Sequence, residues 1–189
     1  HVTGFRRLAQ RVLAETGGAC RPLLSDLGKR LALRRLLVEH EGELRILGRA
    51  AKQRTFVETL VSAIWEFKTW CISPDQLEGM EQNFGDSPLT AKIHDLALIY
   101  RKFEDFLAGS YHDGEDMMTI LAEKIPSSKL VEGADVYIDG FHWFSPQEYQ
   151  ILDRLLSTAA TVTVTLCADV DKKDAAAAET DLFHKQWQT

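Results

Sequence analysis

The stretch between residues 135 and 167 constrains this chain most, because it is where the sequence reads as sheet. Val136-Tyr137-Ile138 is a short buried-strand pattern. Ser145-Pro146-Gln147-Glu148 supplies N-cap, N1, N2 and N3 of a helix running to about residue 157. Thr161-Val162-Thr163-Val164-Thr165-Leu166 is a strand by its β-branched content. A strand, a helix and a second strand at this spacing form a crossover, so the two strands are expected to be parallel with a right-handed connection. Two parallel strands do not make a stable sheet by themselves. Further sheet elements must come from the N-terminus, where residues 1–4 fit the tail of a strand, or from chain outside these residues.

Everything before residue 131 has helical periodicity. Phe5, Leu8, Val12 and Leu13 mark a first helix, with Thr3 as its expected cap and Gly17-Gly18 as its stop. Ser25-Asp26 is a local cap after Pro22, and Leu31, Leu33, Leu36, Leu37 and Val38 follow as a stripe that ends by Gly42. Phe56, Val57, Leu60, Val61, Ile64 and Phe67 predict a long helix over 50–70. Ser73-Pro74-Asp75-Gln76 opens another, and residues 83–88 form a loop. Ile93, Leu96, Ala97, Tyr100, Phe103 and Leu107 line a helix over 89–108, and Asp113 or Asp116 opens a short one through Ala122. The expected architecture is α/β with a large helical insertion. Residues 1–19 and 131–189 belong to one incomplete sheet domain, and residues 20–130 form the helical insert.

The chain is 189 residues long and 45% apolar, enough to bury a core. Its first residue is His1 rather than Met, which suggests a piece of something longer. The net charge of −6 excludes a uniformly basic nucleic-acid module but hides a strong asymmetry. Residues 1–50 carry ten Lys/Arg against five Asp/Glu, and the remainder carries twelve against twenty-three. Arg6, Arg7 and Arg11 sit on the first predicted helix, and Lys29, Arg30, Arg34 and Arg35 on the second. These are candidate phosphate contacts, set against the plainer reading of solvated helix faces. Trp65, Trp70 and Trp143 are candidate base-stacking residues, set against ordinary core packing. Cys20, Cys71 and Cys167 are too scattered for a disulfide framework or a cysteine metal site, which points to a reducing, cytoplasmic setting. No apolar run is long enough to span a membrane, and no signal peptide opens the chain.

A search for chemistry returns fragments. Asp139 stands at the carboxyl end of the first strand, where α/β folds place ligand-binding groups. In a phosphate-handling ATPase such an Asp holds Mg²⁺ and an adjacent Glu activates water, but here the neighbour is Gly140. Asp-Gly is equally a common turn pair. No GxxxxGK[ST] loop exists, and the six histidines form no HxH or HExxH set. His142, beside Trp143, is read as a loop residue rather than a base. The acidic pair Glu115-Asp116 is read as a solvated face.

Three runs resemble the AddB family, the B subunits of the ATP-dependent helicase/deoxyribonucleases of Bacillus-like Firmicutes. They are Val2-Thr3-Gly4-Phe5-Arg6-Arg7-Leu8-Ala9, Leu121-Ala122-Glu123-Lys124-Ile125-Pro126, and Ile138-Asp139-Gly140-Phe141-His142-Trp143-Phe144-Ser145-Pro146-Gln147-Glu148. The likeness continues to Asp181-Leu182-Phe183-His184. It implies an internal fragment of the N-terminal helicase-like region: a partial superfamily 1, P-loop-type motor domain interrupted by helices. It also implies that the whole protein is an enzyme using ATP and Mg²⁺, with a nuclease domain carrying a 4Fe-4S cluster. The fragment itself would be neither catalytic nor cofactor-bearing. The expected partners are DNA and a second, AddA-type subunit in a heterodimer that processes double-strand breaks for recombinational repair.

Residue by residue, the resemblance matches Asp139 to the metal-associated Asp of active relatives, where the motif reads Asp-Glu-Phe-Gln-Asp. Gly140 then stands where the catalytic Glu belongs, His142 where a Gln belongs, and Gln147 at a later Gln. Asp169 falls in the next motor motif, and Thr3 and Phe5 in the motif that touches single-stranded DNA. The expectation is a degenerate ATPase motif within a DNA-binding, DNA-scanning piece, with Thr3, Phe5, Arg6, Arg7, Arg11, Lys29, Arg30 and Arg34 facing DNA. The alternative is a helical scaffold that docks the partner subunit without touching DNA.

Overall fold

A computed structural model describes residues 2–18, 21–50, 53–114 and 116–166. The described chain is mostly helical, with one small parallel sheet. Helix α1 (Phe5–Thr16) starts after Gly4, whose carbonyl accepts from the N–H groups of Arg7 and Leu8. Thr3 does not cap it, contrary to expectation. Its hydroxyl turns back to the Gly4 carbonyl at 3.3 Å, leaving the N-terminal amides without a side-chain cap. Gly17, with φ of +75°, ends the helix in a conformation a β-carbon disfavours.

Helices α2 (Asp26–Glu39), α3 (Arg54–Thr69), α4 (Pro74–Glu81) and α5 (Pro88–Ser110) form the first core. Ser25, Ser73 and Ser87 each cap the helix that follows, and Ser73 with Gln76 closes a reciprocal capping box. α2 packs on α3 and α5, and α4 lies along α5. Leu33, Leu36 and Leu37 are buried there beside Leu60, Ile64 and Phe103. Leu31 and Val38, expected in the same stripe, are exposed instead. At 100° per residue they stand well away from the face that Leu33 and Leu37 present to the core.

Helices α6 (Asp116–Lys124) and α7 (Pro146–Thr158) join α1 and strands β1 (Asp135–Phe141) and β2 (Thr161–Leu166) in the second core. Ala9 and Val12 of α1 meet Leu121 and Ile125, while Ile138, Phe144 and Ile151 close the sheet side. Ser145 and Glu148 form a second full capping box that launches α7 out of β1. The strands pair in parallel, Asp135 opposite Thr161 and Ile138 opposite Val164, with a shift in register between Ile138 and Phe141. The β-α-β crossover is therefore present as read. Among the described residues, only one sheet face is covered: Tyr137 stays 76% exposed, and Thr161, Thr163 and Thr165 are exposed on β2.

Between the two cores lies a polar joint. Lys68, at the end of α3, is buried with its ammonium 2.9 Å from Asp113, 2.7 Å from Asp116 and 2.7 Å from Glu104 of α5. Asp113 and Asp116 also exchange backbone N–H bonds at the start of α6. A short parallel bridge ties the approach to α2 onto the α5–α6 link, with Leu24 N–H donating to the His112 carbonyl at 2.7 Å. Among the described residues, no helix is long and apolar enough to cross a membrane.

Candidate nucleic-acid interface

The carboxyl end of β1 and the first turn of α1 meet through aromatic rings. Phe5 lies 5.3 Å from Phe141, centroid to centroid, and Phe141 stacks on Phe144 at 4.9 Å. Tyr149 of α7 meets Phe144 edge-on at 5.7 Å. Phe5 is thus half-buried as a packing residue, and its contact sets the angle at which α1 leaves the sheet end. Arg6 and Arg7, next along the helix, are exposed, and Arg11 one turn on is partly covered. Thr3 is exposed just ahead of them.

Asp139 and Gly140 occupy the irregular end of β1. Gly140 has φ of +82°, and a β-carbon there would meet nothing within 4 Å. The position therefore demands glycine for its backbone rather than for space. Asp139 is exposed and accepts a hydrogen bond from the Thr165 hydroxyl of β2. Four residues earlier on the same face, Asp135 accepts from Thr161 at 2.6 Å. The two Asp–Thr pairs are the same cross-strand device, so Asp139 has a structural partner of its own. His142 is exposed in the β1–α7 loop. Gln147 is buried and donates to the Thr119 hydroxyl of α6 at 3.1 Å, which ties α7 to α6. Asp169 and Cys167 lie outside the described residues, as do Cys20, Glu115 and the acidic stretch 170–181.

The basic residues of α1 and α2 are not brought into one row, because α1 packs on α6 while α2 packs on α3 and α5. Lys29 is partly buried in a crevice with Asp113, whose carboxylate it helps hold in the charged form. Arg30 bonds the Asp26 carbonyl at 3.2 Å and stands 3.7 Å from Glu58, and Arg35 pairs with Glu39 at 2.7 Å. Arg34 is exposed and makes no ion pair among the described residues. Of the predicted phosphate contacts, the α1 arginines are the ones set beside the strand end.

Two features escaped the reading of the sequence. The first is the Lys68 joint. Burial alone pulls the Lys68 ammonium toward deprotonation, but Asp113, Asp116 and Glu104 outweigh it and hold its pKa above the ordinary lysine value. Burial pushes the Glu104 carboxyl up despite Lys68, whereas Asp113 is also disfavoured by burial yet ends below its usual range through Lys68. Glu104 Oε1 has no well-aligned hydrogen bond even though the Lys68 nitrogen is close. The second is Asp95 on α5, fully buried, whose carboxylate accepts from the N–H groups of Arg45, Ile46 and Leu47 at 2.8 to 2.9 Å. Both had a signal: Lys68 extends the apolar series Leu60-Ile64, and Asp95 heads Ile99-Phe103-Leu107 at four-residue steps. A charge in register with an apolar stripe is a buried charge in search of a partner.

A cleft of about 450 Å³ opens beside the joint, lined by Tyr100, Glu104, Asp116, Gln147 and Gln150 among others. Among the described residues, no group of three His, Cys, Asp or Glu side chains is arranged to hold a metal ion. Among the described residues Asp139 is not part of any group of acids arranged around a metal, and the chain's three cysteines are one short of the four thiolates of a 4Fe-4S cluster.

The sequence model of the family described as ADDB, N-terminal, matches residues 1–189. A protein of Desulforamulus reducens is 44% identical over 171 residues, covering 89% of this chain and 15% of its own length. One of Geobacillus kaustophilus is 41% identical over 195 residues, covering 100% and 17%. One of Bacillus subtilis is 36% identical over 194 residues, again covering 100% and 17%. All three are named as the B subunit of an ATP-dependent helicase/deoxyribonuclease. The chain thus spans about a sixth of the length of these curated relatives.

Proposed function

The chain belongs to the ADDB N-terminal family, and from that premise we propose that it is a DNA-engaging part of a helicase–deoxyribonuclease B subunit acting in DNA repair. The observation that carries this reading is the exposed Arg6–Arg7 pair held beside the carboxyl end of a parallel strand by the Phe5–Phe141 contact. Ligands of open α/β sheets sit at such strand ends. Arginines there neutralise phosphates and release counterions on binding. In this reading residues 1–19 and 131–189 are parts of a superfamily 1-like motor domain. Residues 20–130 are its helical insert, and a second helicase–nuclease subunit is the protein partner. The motor motif at Asp139 is degenerate in hydrolysis: Gly140 offers no base, and its backbone conformation is one that a glutamate strains to adopt.

The test is DNA binding by the full-length subunit, titrated with salt. Replacing Arg6, Arg7 and Arg11 with Gln lowers single-strand affinity and reduces the slope of log K against log salt by roughly 2, from about 0.7 per lost phosphate contact. An unchanged slope and affinity contradict the reading.

One observation favours a second reading, a docking scaffold for the partner subunit. Leu27, Leu31 and Val38 are all exposed along one side of α2 with Arg34 between them. Substituting Asp at Leu31 weakens subunit association and leaves DNA binding intact under that reading.

A further inference from the structure

Trp70 and Trp143 come from opposite sides of the joint, yet their rings stack 6.3 Å apart with planes inclined by 21°. Neither belongs to either hydrophobic core, and they remain 54% and 45% exposed. At that centroid separation the indoles are offset, so neither ring fully covers the other. Leaving two large apolar rings half in water gives up burial energy that either core would have supplied.

The backbone on either side of the pair is anchored. Trp70 is the C-cap of α3, its N–H bonded to the Glu66 carbonyl at 2.9 Å. The following Cys71 turns the chain with φ of +56° and accepts a hydrogen bond from Gln150 of α7 at 3.4 Å. Trp143 lies two residues before the Ser145 capping box, in the loop that leaves the carboxyl end of β1. A stacked pair of flat π surfaces by the loop that leaves β1 suits a flat π ligand. Bases inside a duplex have both faces covered, so the fitting partner is an unpaired base.

We propose that Trp70 and Trp143 form a two-indole platform on which an unpaired base of single-stranded DNA stacks. The proposal rests on the DNA-engaging reading and adds the strand form and the residues of contact. Stacking on such a platform tolerates any base and does not release counterions.

The experiment measures binding of a single-stranded oligothymidylate carrying one 2-aminopurine to the full-length subunit at several salt concentrations. Trp143→Ala and Trp70→Ala each weaken binding roughly 5- to 150-fold, the range for losing one base–aromatic stack. The salt slope stays that of the unsubstituted protein, and quenching of the 2-aminopurine is lost. Trp143→Phe restores most of the affinity, which a variant that merely misfolds would not show. Unchanged affinity in both alanine variants, with loss in the Arg6/Arg7/Arg11 variant, overturns the platform while sparing the DNA reading. Loss of partner-subunit association without loss of DNA affinity overturns it in favour of a protein contact. No DNA binding by the unsubstituted subunit in any salt overturns both.

Discussion

The two cores of this chain are built from the same kinds of residue and end in different states. The α2–α5 core closes on itself: Leu33, Leu37, Leu60, Ile99 and Phe103 are almost wholly buried within four helices. Among the described residues, the core of α1, α6, α7 and the sheet closes on one side only. Ile138 and Ile151 are buried under the helices, while Tyr137 and the β2 threonines face water, and Val164 and Leu166 remain partly exposed. The difference follows from backbone hydrogen bonding. A helix satisfies its own N–H and C=O groups and needs only one apolar stripe covered. A parallel strand needs neighbours on its edges and cover on both faces. A helical core can therefore be complete where a two-strand sheet beside it is not.

The joint between the cores is where the comparison breaks most easily. Lys68→Met takes the ammonium from between Glu104, Asp113 and Asp116 and leaves Asp113 with only the Lys29 cation nearby among the described residues, and such losses cost about 3–5 kcal/mol. Denaturant unfolding should show that loss, together with separation of a single transition into two as the cores uncouple. A small loss with one sharp transition would mean that the cores are joined by apolar contact instead.

At the carboxyl end of β1, Gly140→Glu supplies the acid that the proposed motor motif lacks. With φ at +82° the substitution strains the backbone and costs roughly 1 kcal/mol or somewhat more. It yields no ATP hydrolysis in this chain, since no phosphate-binding loop is present. Turnover by a pure sample, measured as phosphate release, would contradict the degenerate reading.

The smallest expected effect separates the carboxylates of the joint by pH. Glu104 has a raised pKa, so the folded state holds its proton more tightly than the unfolded chain. Its contribution is present at low pH and is lost as pH rises through the folded value. Asp113 is lowered, so its contribution is present above the ordinary aspartate pKa and is lost as pH falls. Glu104→Gln is then neutral or stabilising at pH 7, by less than about 1 kcal/mol given its partial exposure, and its advantage shrinks toward pH 4. Asp113→Asn is destabilising at pH 7 and has less effect in acid. Thermal unfolding of the two variants from pH 4 to 8 checks the opposite signs.

Much of this fold was legible because its helix starts are written locally. Ser73-Pro74-Asp75-Gln76 and Ser145-Pro146-Gln147-Glu148 place caps that need nothing beyond four residues, and both capping boxes are present. The parallel pairing followed from the length of the crossover alone. What the sequence did not disclose depends on distant partners. Thr3 looks like a cap, but Gly4 begins the helix and the hydroxyl turns elsewhere. Lys29 and Arg30 look like free basic groups until Asp113 and Glu58 are brought beside them. The pairing of Trp70 with Trp143, 73 positions apart in the chain, has no local signature at all.

The central claim, a closed helical core beside a half-covered sheet, is tested most directly by native-state hydrogen exchange on the 189-residue chain. The slowest amides should lie in α3 and α5 and exchange only through global unfolding, while those of β2 exchange through a much smaller opening. Amides of β2 as slow as those of α5 would contradict the account, because the sheet would then be as closed as the helical core.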